Sequence, residues 1–207
     1  MDSKEAFDIT VAYLSLLFFV SRFSIERAET FALPLFTAFI LHELGHRYVA
    51  RQFGFEAKFQ LWVNGLLFAA LIWVISGFRF VFFAPGAVVV GQRTVSAYWV
   101  DYPTPNGVLR VPVFRSLPYP TREEMGKIAL AGPLTNIAIA VIVLPIYLLF
   151  PIEPFLYTVA MNLFIALFNL IPIGPLDGKK IYTWNPTLWA VLFTPLITLF
   201  VIGLLVG

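Results

Sequence analysis

The sequence predicts an all-α polytopic membrane protein with about six transmembrane helices. The first reason is composition, because 59% of the residues are hydrophobic and only 13% are charged, whereas soluble domains carry about 25% charged residues. The second reason is pattern, because polar breaks divide the chain into apolar runs, most of them near the roughly 20 residues that cross a bilayer. These runs lie at 7–23, 31–53, 61–77, 78–91, 126–150, 154–173 and 187–206.

The run at 78–91 differs from the others because it is short and Pro85-Gly86 interrupts it. Backbone that is not helical is tolerated at membrane depth only where protein or water satisfies its polar groups. We therefore expect an irregular or re-entrant membrane-inserted segment there. The sequence leaves open whether 61–91 crosses the membrane twice or forms a re-entrant hairpin.

Residues 92–125 form a polar stretch that contains many prolines. Alternation over 108–114 is compatible with a strand or hairpin, but we favour a surface loop, on the cytosolic side by the topology argued below. Thr121 is the expected N-cap of the helix that contains the 126–150 run. The sequence shows no internal repeat, so the prediction is one integral membrane domain over 1–207.

Two features of the composition exclude classes of function. The net charge is only +2, and no basic stripe is interleaved with aromatic residues, so we expect no nucleic-acid partner. The chain contains no cysteine, which excludes disulfides and thiolate-ligated zinc. A metal site in this chain must therefore use histidines and carboxylates.

The run at 31–53 contains the motif His42-Glu43-Leu44-Gly45-His46, which holds both histidines of the chain. Residues four apart lie on one face of a helix, so both imidazoles are able to bind one metal ion. Glu43 lies next to His42, within reach of a water on that metal, as in the H-E-x-x-H zinc metallopeptidases. An ionisable group in a span costs about 2.5–3.5 kcal/mol, and a bound metal would compensate for that cost.

A catalytic zinc site usually has three protein ligands and one water, so a third ligand is needed. Asp177 is the best candidate, because it follows an apolar run that Pro172, Gly174 and Pro175 would end. The alternative is a turn aspartate at the membrane surface, which is common near proline and glycine. Both interpretations remain open on spacing alone.

Three small or polar residues lie in the later apolar runs: Gly132 and Asn136 in the segment AGPLTN, and Asn169 in NLIPIG. Small residues and amides in spans often serve packing and hydrogen bonding between helices. Asn169 is equally compatible with a donor aimed at a substrate carbonyl.

Taken together and in this order, HELGH, AGPLTN and NLIPIGPLDG resemble the motifs of the site-2 protease family of intramembrane zinc metalloproteases. The resemblance covers 31–53 and 121–180. It implies that His42, His46 and Asp177 bind one Zn²⁺ per chain and that Glu43 is the general base.

The same resemblance implies roles for the remaining motif residues. Asn169 would contact substrate or the oxyanion, and Gly132 and Asn136 would belong to a motif that packs the core of the helices. Two features depart from simpler members of the family: the extra apolar run at 61–77 and the long polar stretch at 92–120.

A shared metal site would constrain the topology. His46 lies in the second half of its span and Asp177 lies just after another, so the two helices must run in the same direction. The stretch 54–125 must then begin and end on one side, with 61–77 and 78–91 acting as a pair. Eleven basic residues then share the side of the site, which predicts that the catalytic end faces the cytosol. They are Lys4, Arg47, Arg51, Lys58, Arg93, Arg110, Arg115, Arg122, Lys127, Lys179 and Lys180, against Arg22, Arg27 and Arg79 opposite.

The predicted function is hydrolysis of peptide bonds within or near transmembrane segments of membrane proteins, that is, regulated intramembrane proteolysis in the cell membrane. The expected partners are a transmembrane protein substrate and the lipid bilayer. The alternatives are a metal transporter and a non-catalytic zinc-binding homologue. A transporter would be expected to place polar ligands along several spans, and a non-catalytic homologue would be expected to lack Glu43 or a ligand.

Overall fold

A computed structural model of the chain describes residues 2–79, 81, 85–93, 97–114 and 119–206. The first half contains helix α1 (Ser3–Ser21), helix α2 (Ile25–Leu35), a π-helical segment (Phe36–Ile40) and helix α3 (Leu41–Gln52). Strand β1 (Phe55–Leu61), helix α4 (Val63–Ile75) and strands β2 (Gly86–Arg93), β3 (Ala97–Thr104) and β4 (Gly107–Phe114) follow. Helices α5 (Arg122–Leu149), α6 (Glu153–Asn169), α7 (Asp177–Trp184) and α8 (Pro186–Val206) complete the chain.

The predicted fold class, an all-α protein with about six transmembrane helices, is wrong. The described residues include four strands in two small sheets. Within the same residues only two helices, α5 and α8, have the length and apolar composition to cross a membrane. The 61–77 run yields only the 13-residue helix α4, which at 1.5 Å per residue is about 20 Å long against an apolar bilayer core of about 30 Å. Hydropathy measures how apolar a stretch is, not how long its helix becomes.

The motif that contains His42 and His46 lies near the end of a long continuous helix. Helix α2, the π segment and helix α3 follow one another without a break. Ser24 begins this run, because its side chain accepts a hydrogen bond from the Arg27 N–H as an N-cap. A π segment is a local widening of the helix that is often found at functional sites. Here it ends at Ile40, two residues before His42.

Strands β1 and β2 pair antiparallel, with Leu61 opposite Gly86 and Phe59 opposite Val88. The chain therefore leaves the sheet after Leu61 and returns to the same place. The expected irregular segment at 78–91 is wrong for 86–91, which belong to strand β2, while residues 80 and 82–84 lie outside the described part. The buried residues of β1 alternate with exposed ones, so one face of the sheet packs on the core.

The outer edge of β1 is covered by helix α1. The carboxylate of Glu5 accepts the Phe59 N–H at 3.1 Å, and that of Asp8 accepts the Leu61 N–H at 3.4 Å. Glu5 is buried and its other oxygen lies 3.0 Å from the Arg47 guanidinium on α3. These contacts tie α1, the sheet and the His42 helix together and occupy an edge that would otherwise be free to pair.

Strands β3 and β4 form a hairpin, so the surface loop that we favoured for 92–125 is wrong over 97–114. The hairpin turns at Gly107, whose φ of 128° is accessible chiefly to glycine. After it, Thr121 caps helix α5 as predicted, in a capping box with Glu124.

Helix α5 is the centre of the helical part of the protein and packs against α3, α6 and α7. A buried apolar cluster of Leu170, Ile181 and their neighbours joins α6 and α7. A second cluster around Leu16, Phe39 and Trp73 joins α1, the π segment and α4. Helix α5 therefore contacts each of the helices that carry the other motif residues, namely α3, α6 and α7.

Candidate metal centre

His42 and His46 lie on the face of α3 that packs against α5, and both are buried. Their Nε2 atoms lie 3.0 Å apart. This is the geometry that helical i, i+4 spacing predicts for two imidazoles that point to one place. Both nitrogens therefore face one common point between α3, α5 and α7.

The other nitrogen of each ring contacts an oxygen. His42 Nδ1 lies 2.5 Å from Asn136 Oδ1, and His46 Nδ1 lies 2.8 Å from the carbonyl oxygen of Ile128. Because a carbonyl oxygen only accepts, each Nδ1 carries the proton and donates it. The Nε2 lone pairs are thereby left for a cation, as is usual for histidines that bind metals.

Asp177 is the first residue of helix α7 and brings a carboxylate to the same point. Its Oδ2 lies 2.9 Å from His46 Nε2 and 3.4 Å from His42 Nε2, and Lys180 donates to its Oδ1 at 3.1 Å. The Lys180 ammonium beside this carboxylate favours its ionised form. Asp177 is therefore an anionic donor.

The donor set fits a zinc ion. Two imidazole nitrogens and one carboxylate oxygen, all buried, lie within 4.8 Å of one another. Tetrahedral zinc with bonds of about 2.0–2.1 Å separates its ligand atoms by roughly 3.3–3.4 Å, close to the 2.9–3.4 Å between the carboxylate and the imidazoles. Two nitrogen lone pairs that face each other at close range also call for a cation between them. The residues present thus fit a zinc site with three protein ligands.

Glu43 is buried beside His42 and is held by the sheet. Its Oε2 accepts the backbone N–H of Val88 at 3.1 Å. Val88 belongs to β2, whose other edge pairs with β1. The second edge of the sheet therefore faces the metal centre and orients the glutamate of the motif.

A cavity of about 470 Å³ opens on this centre. Its walls include the three candidate ligands, Glu43, the 86–90 part of β2 and Asn169. The cavity is large enough for several residues of an extended peptide. An edge strand along one wall offers backbone groups to such a peptide.

Two glycines allow α3 and α5 to approach each other closely. A Cβ on Gly132 would come within 2.6 Å of His42 Nε2 and would also meet His46 Nε2. A Cβ on Gly45 would lie 2.6 Å from the Thr135 hydroxyl oxygen on α5. The glycine of HELGH therefore faces α5, and the glycine of AGPLTN faces α3.

The structure brings most of the predicted site residues together. The contacts of the two asparagines differ from those that the sequence suggested. Asn136 contacts His42 directly, although the sequence suggested only core packing. Asn169 lines the cavity, but its amide donates to the Ile165 carbonyl of its own helix at 3.1 Å.

Sequence reasoning missed two residues that contact the site or support it. Val88 acts through its backbone N–H, which no sequence pattern reveals. Asn162 is a fully buried polar residue on α6 that hydrogen-bonds to Asn136. Its position in an apolar run was a usable signal, because polar residues inside such runs rarely lack a partner.

A helix that carries paired histidines and an adjacent glutamate, with a buried carboxylate as third donor, defines a metal-dependent hydrolase site. Comparison with known proteins identifies the family. The profile of Peptidase family M50 matches residues 30–152, more than half of the chain. The protein therefore belongs to this family, the site-2 protease family, as the three motifs predicted.

Two relatives come from Methanocaldococcus jannaschii. One, named "Putative zinc metalloprotease MJ0611", is 37% identical over 201 residues, which are 94% of this chain and 91% of that protein. The other, "Zinc metalloprotease MJ0392", is 28% identical over 152 residues, which are 71% of this chain and 31% of that protein. No solved structure is significantly similar to the chain. Family membership makes the chain a metalloprotease of a membrane-associated family whose metal is zinc.

Proposed function

We propose that the protein is a zinc-dependent intramembrane endopeptidase, which cuts peptide bonds within or near transmembrane segments of other membrane proteins. The observation that carries this proposal is the buried convergence of His42, His46 and Asp177, with Glu43 beside them in one cavity. Each residue has the chemistry that peptide hydrolysis requires. The proposed ligands are the two Nε2 atoms and the Asp177 carboxylate, for one Zn²⁺ per chain.

When bound, zinc supplies Lewis-acid polarisation of a water and of the scissile carbonyl. Glu43 takes the proton from the attacking water and later gives it to the leaving amine, as a general base and then a general acid. The Val88 N–H holds one oxygen of Glu43, so the other oxygen is left for this transfer. Burial of the carboxylate keeps it out of bulk water.

Asn169 is the proposed contact for the substrate carbonyl. A carboxamide has two N–H donors, and one of them goes to the Ile165 carbonyl. The second is available to a carbonyl oxygen that develops negative charge in the cavity.

The proposed substrate binds as an extended segment along strand β2. Residues 86–90 line the cavity, and the outer groups of an edge strand pair readily with another chain. The opposite edge of the sheet is occupied by Glu5 and Asp8. A transmembrane helix of the substrate would have to unwind locally in order to present a scissile bond here.

We further propose a multi-pass location in the cell membrane with the catalytic end towards the cytosol. Helices α5 and α8 support a membrane location, and so does the exposure of apolar side chains such as Phe200, Leu204 and Leu205 on α8. The excess of lysine and arginine on the side of the site supports the orientation.

The test uses purified protein, zinc and a reporter transmembrane substrate in nanodiscs. Glu43→Gln should bind one zinc per chain but lose cleavage by at least about 100-fold, because the base is gone and the ligands remain. Asp177→Ala should lose both zinc and cleavage. A chelator should abolish wild-type cleavage, and added zinc should restore it.

Glu56→Gln is the matched control, because Glu56 is an exposed carboxylate on the neighbouring strand β1. It should cleave at the wild-type rate. Wild-type cleavage by Glu43→Gln would refute the mechanism. Zinc uptake into proteoliposomes without any cleavage would favour a transporter.

A further inference from the structure

Asn162 is a fully buried amide in the middle of helix α6, and the proposed reaction does not use it. It lies outside the three family motifs. Its side chain hydrogen-bonds on both sides, to Asn136 of α5 at 3.0 Å and to Thr37 of the π segment at 3.0 Å. A buried amide that joins three helical elements beside a metal centre calls for a specific explanation.

The contacts of Asn162 leave only one orientation for its amide. Its Nδ2 faces the Thr158 carbonyl at 2.8 Å, and a carbonyl only accepts. The same Nδ2 faces the Thr37 hydroxyl. That hydroxyl donates its own proton to the Pro34 carbonyl at 2.8 Å, so it accepts from Asn162. Both neighbours demand a donor, so the oxygen of Asn162 must point towards Asn136.

The amide of Asn136 is also fixed in one orientation by its partners. Its Nδ2 donates to Asn162 Oδ1 and to the Ala38 carbonyl at 2.8 Å. Both N–H groups are thereby used, and the amide oxygen is turned towards His42. An oxygen at that position accepts only the Nδ1 proton of His42, which leaves the Nε2 lone pair facing the metal centre.

We infer that Asn162 is a positioning residue: through Asn136 it holds His42 in the tautomer and ring orientation that bind the metal. The inference rests on the proposed zinc site and extends it by one residue that does not touch the metal. The Ala38 carbonyl orients Asn136 from one side and Asn162 orients it from the other. The hydrogen bonds that run from Asn162 through Asn136 to His42 form a relay. Thr37 and Ala38 both belong to the π segment, so this widened turn supplies two of the partners that fix the relay.

The first test is zinc affinity, measured by competition with a fluorescent chelator. Asn162→Leu keeps the approximate volume of the side chain but removes every hydrogen bond. We expect the dissociation constant for zinc to rise about tenfold, within the range for residues that support metal ligands. Asn136→Leu should raise it by more, because His42 then loses its acceptor directly.

Thr158→Val is the matched control. Thr158 is also buried on α6, and its hydroxyl donates to the Pro154 carbonyl within that helix. The substitution removes a buried polar group one turn away and leaves the backbone carbonyl that Asn162 uses. Zinc affinity should be unchanged, and thermal unfolding of the zinc-free variants reports any general loss of folding.

A double-mutant cycle separates the relay from a merely structural role. If Asn162 acts through Asn136, Asn162→Leu should have little further effect on zinc affinity in the Asn136→Leu background. Additive losses would overturn the relay. So would an unchanged zinc affinity in Asn162→Leu itself.

The imidazole tautomer is an independent readout. The chain has only two histidines, so ¹⁵N labelling of histidine in the zinc-free protein yields a simple spectrum. Asn162→Leu should increase the fraction of His42 that carries its proton on Nε2, whereas Thr158→Val should not. An unaltered tautomer in Asn162→Leu would refute the inference. Failure of the wild type to bind zinc through His42 would instead refute the proposed function.

Discussion

Gly132 is the position on helix α5 where a side chain would collide with both imidazoles. The space that a Cβ would need there is already taken by the ligand nitrogens of His42 and His46. The helix backbone at this position accommodates any residue, so the requirement for glycine is one of space and not of conformation. Metal binding should therefore respond to a single added methyl group.

Gly132→Ala is expected to weaken zinc binding by at least about tenfold, since overpacking costs about 1–3 kcal/mol and the strain falls on the ligands. Chelator competition measures the effect. Gly203→Ala on α8 is the control, because a Cβ there meets nothing within 4 Å, and it should bind zinc normally. Normal zinc affinity in Gly132→Ala would mean that α5 lies farther from the site than described.

Strand β2 connects the sheet to the chemistry. The N–H groups of Phe59 and Leu61 point outwards to Glu5 and Asp8. In an antiparallel pair the hydrogen-bonded positions alternate, so Val88, opposite Phe59, also points its N–H away from β1. That N–H goes to Glu43, which makes a backbone group of this strand part of the orientation of the base.

Val88→Pro should remove this donor and leave the hydrogen bonds between β1 and β2 intact, because proline is tolerated where an edge-strand N–H faces outwards. We expect kcat for cleavage to fall by at least about tenfold, while the zinc content stays unchanged. The loss is smaller than the roughly 100-fold or larger contribution of a positioned base, because Glu43 itself remains. Val88→Ala keeps the N–H and loses the same packing. Equal rates in the two variants would argue against orientation of Glu43 by the strand.

The strands were predictable in part. The segment 55–61 alternates buried Phe55, Ala57 and Phe59 with exposed polar residues, a period-two pattern that is visible in the sequence but easily taken for a polar break between spans. The hairpin at 97–114 was likewise predictable in part, because residues 108–114 alternate. What no local pattern reveals is the pairing of Leu61 with Gly86, because that contact joins residues separated by a helix.

The site requires that several chain segments end on one side of the protein. Helix α3 carries His46, and α7 begins with Asp177 beside it. The strands that flank α4 are paired, so the chain returns to the site side after leaving it. Glu153, at the start of α6, lies at the opposite end of that helix from Asn169, which lines the cavity.

A cysteine-labelling experiment tests this arrangement, because the natural chain has no cysteine. Single cysteines in place of Asp101 and Lys179 should react with a membrane-impermeant maleimide added from the cytosolic side. Glu153→Cys should react only from the other side. Labelling of positions 101 and 179 from opposite sides would rule out the proposed topology.

The chemistry of the candidate site is readable from residues that are neighbours in the chain. His42, Glu43 and His46 are close in the chain, and helical periodicity alone places both imidazoles on one face. The order of the three motifs also predicted the family, which the comparisons confirm. The N-cap at Thr121 was equally local and equally predictable.

The orientation of these parts depends on contacts between residues that are distant in the chain. Three contacts join residues that are far apart in sequence. Asp177 lies beside the histidines, the Val88 N–H donates to Glu43, and Asn162 is linked to His42 through Asn136. The number of long apolar helices also depends on the tertiary structure. An apolar composition indicates that a segment avoids water, but it does not distinguish a helix from a strand. Local chemistry follows from neighbours in the chain, whereas donors, acceptors and close approaches follow from neighbours in space.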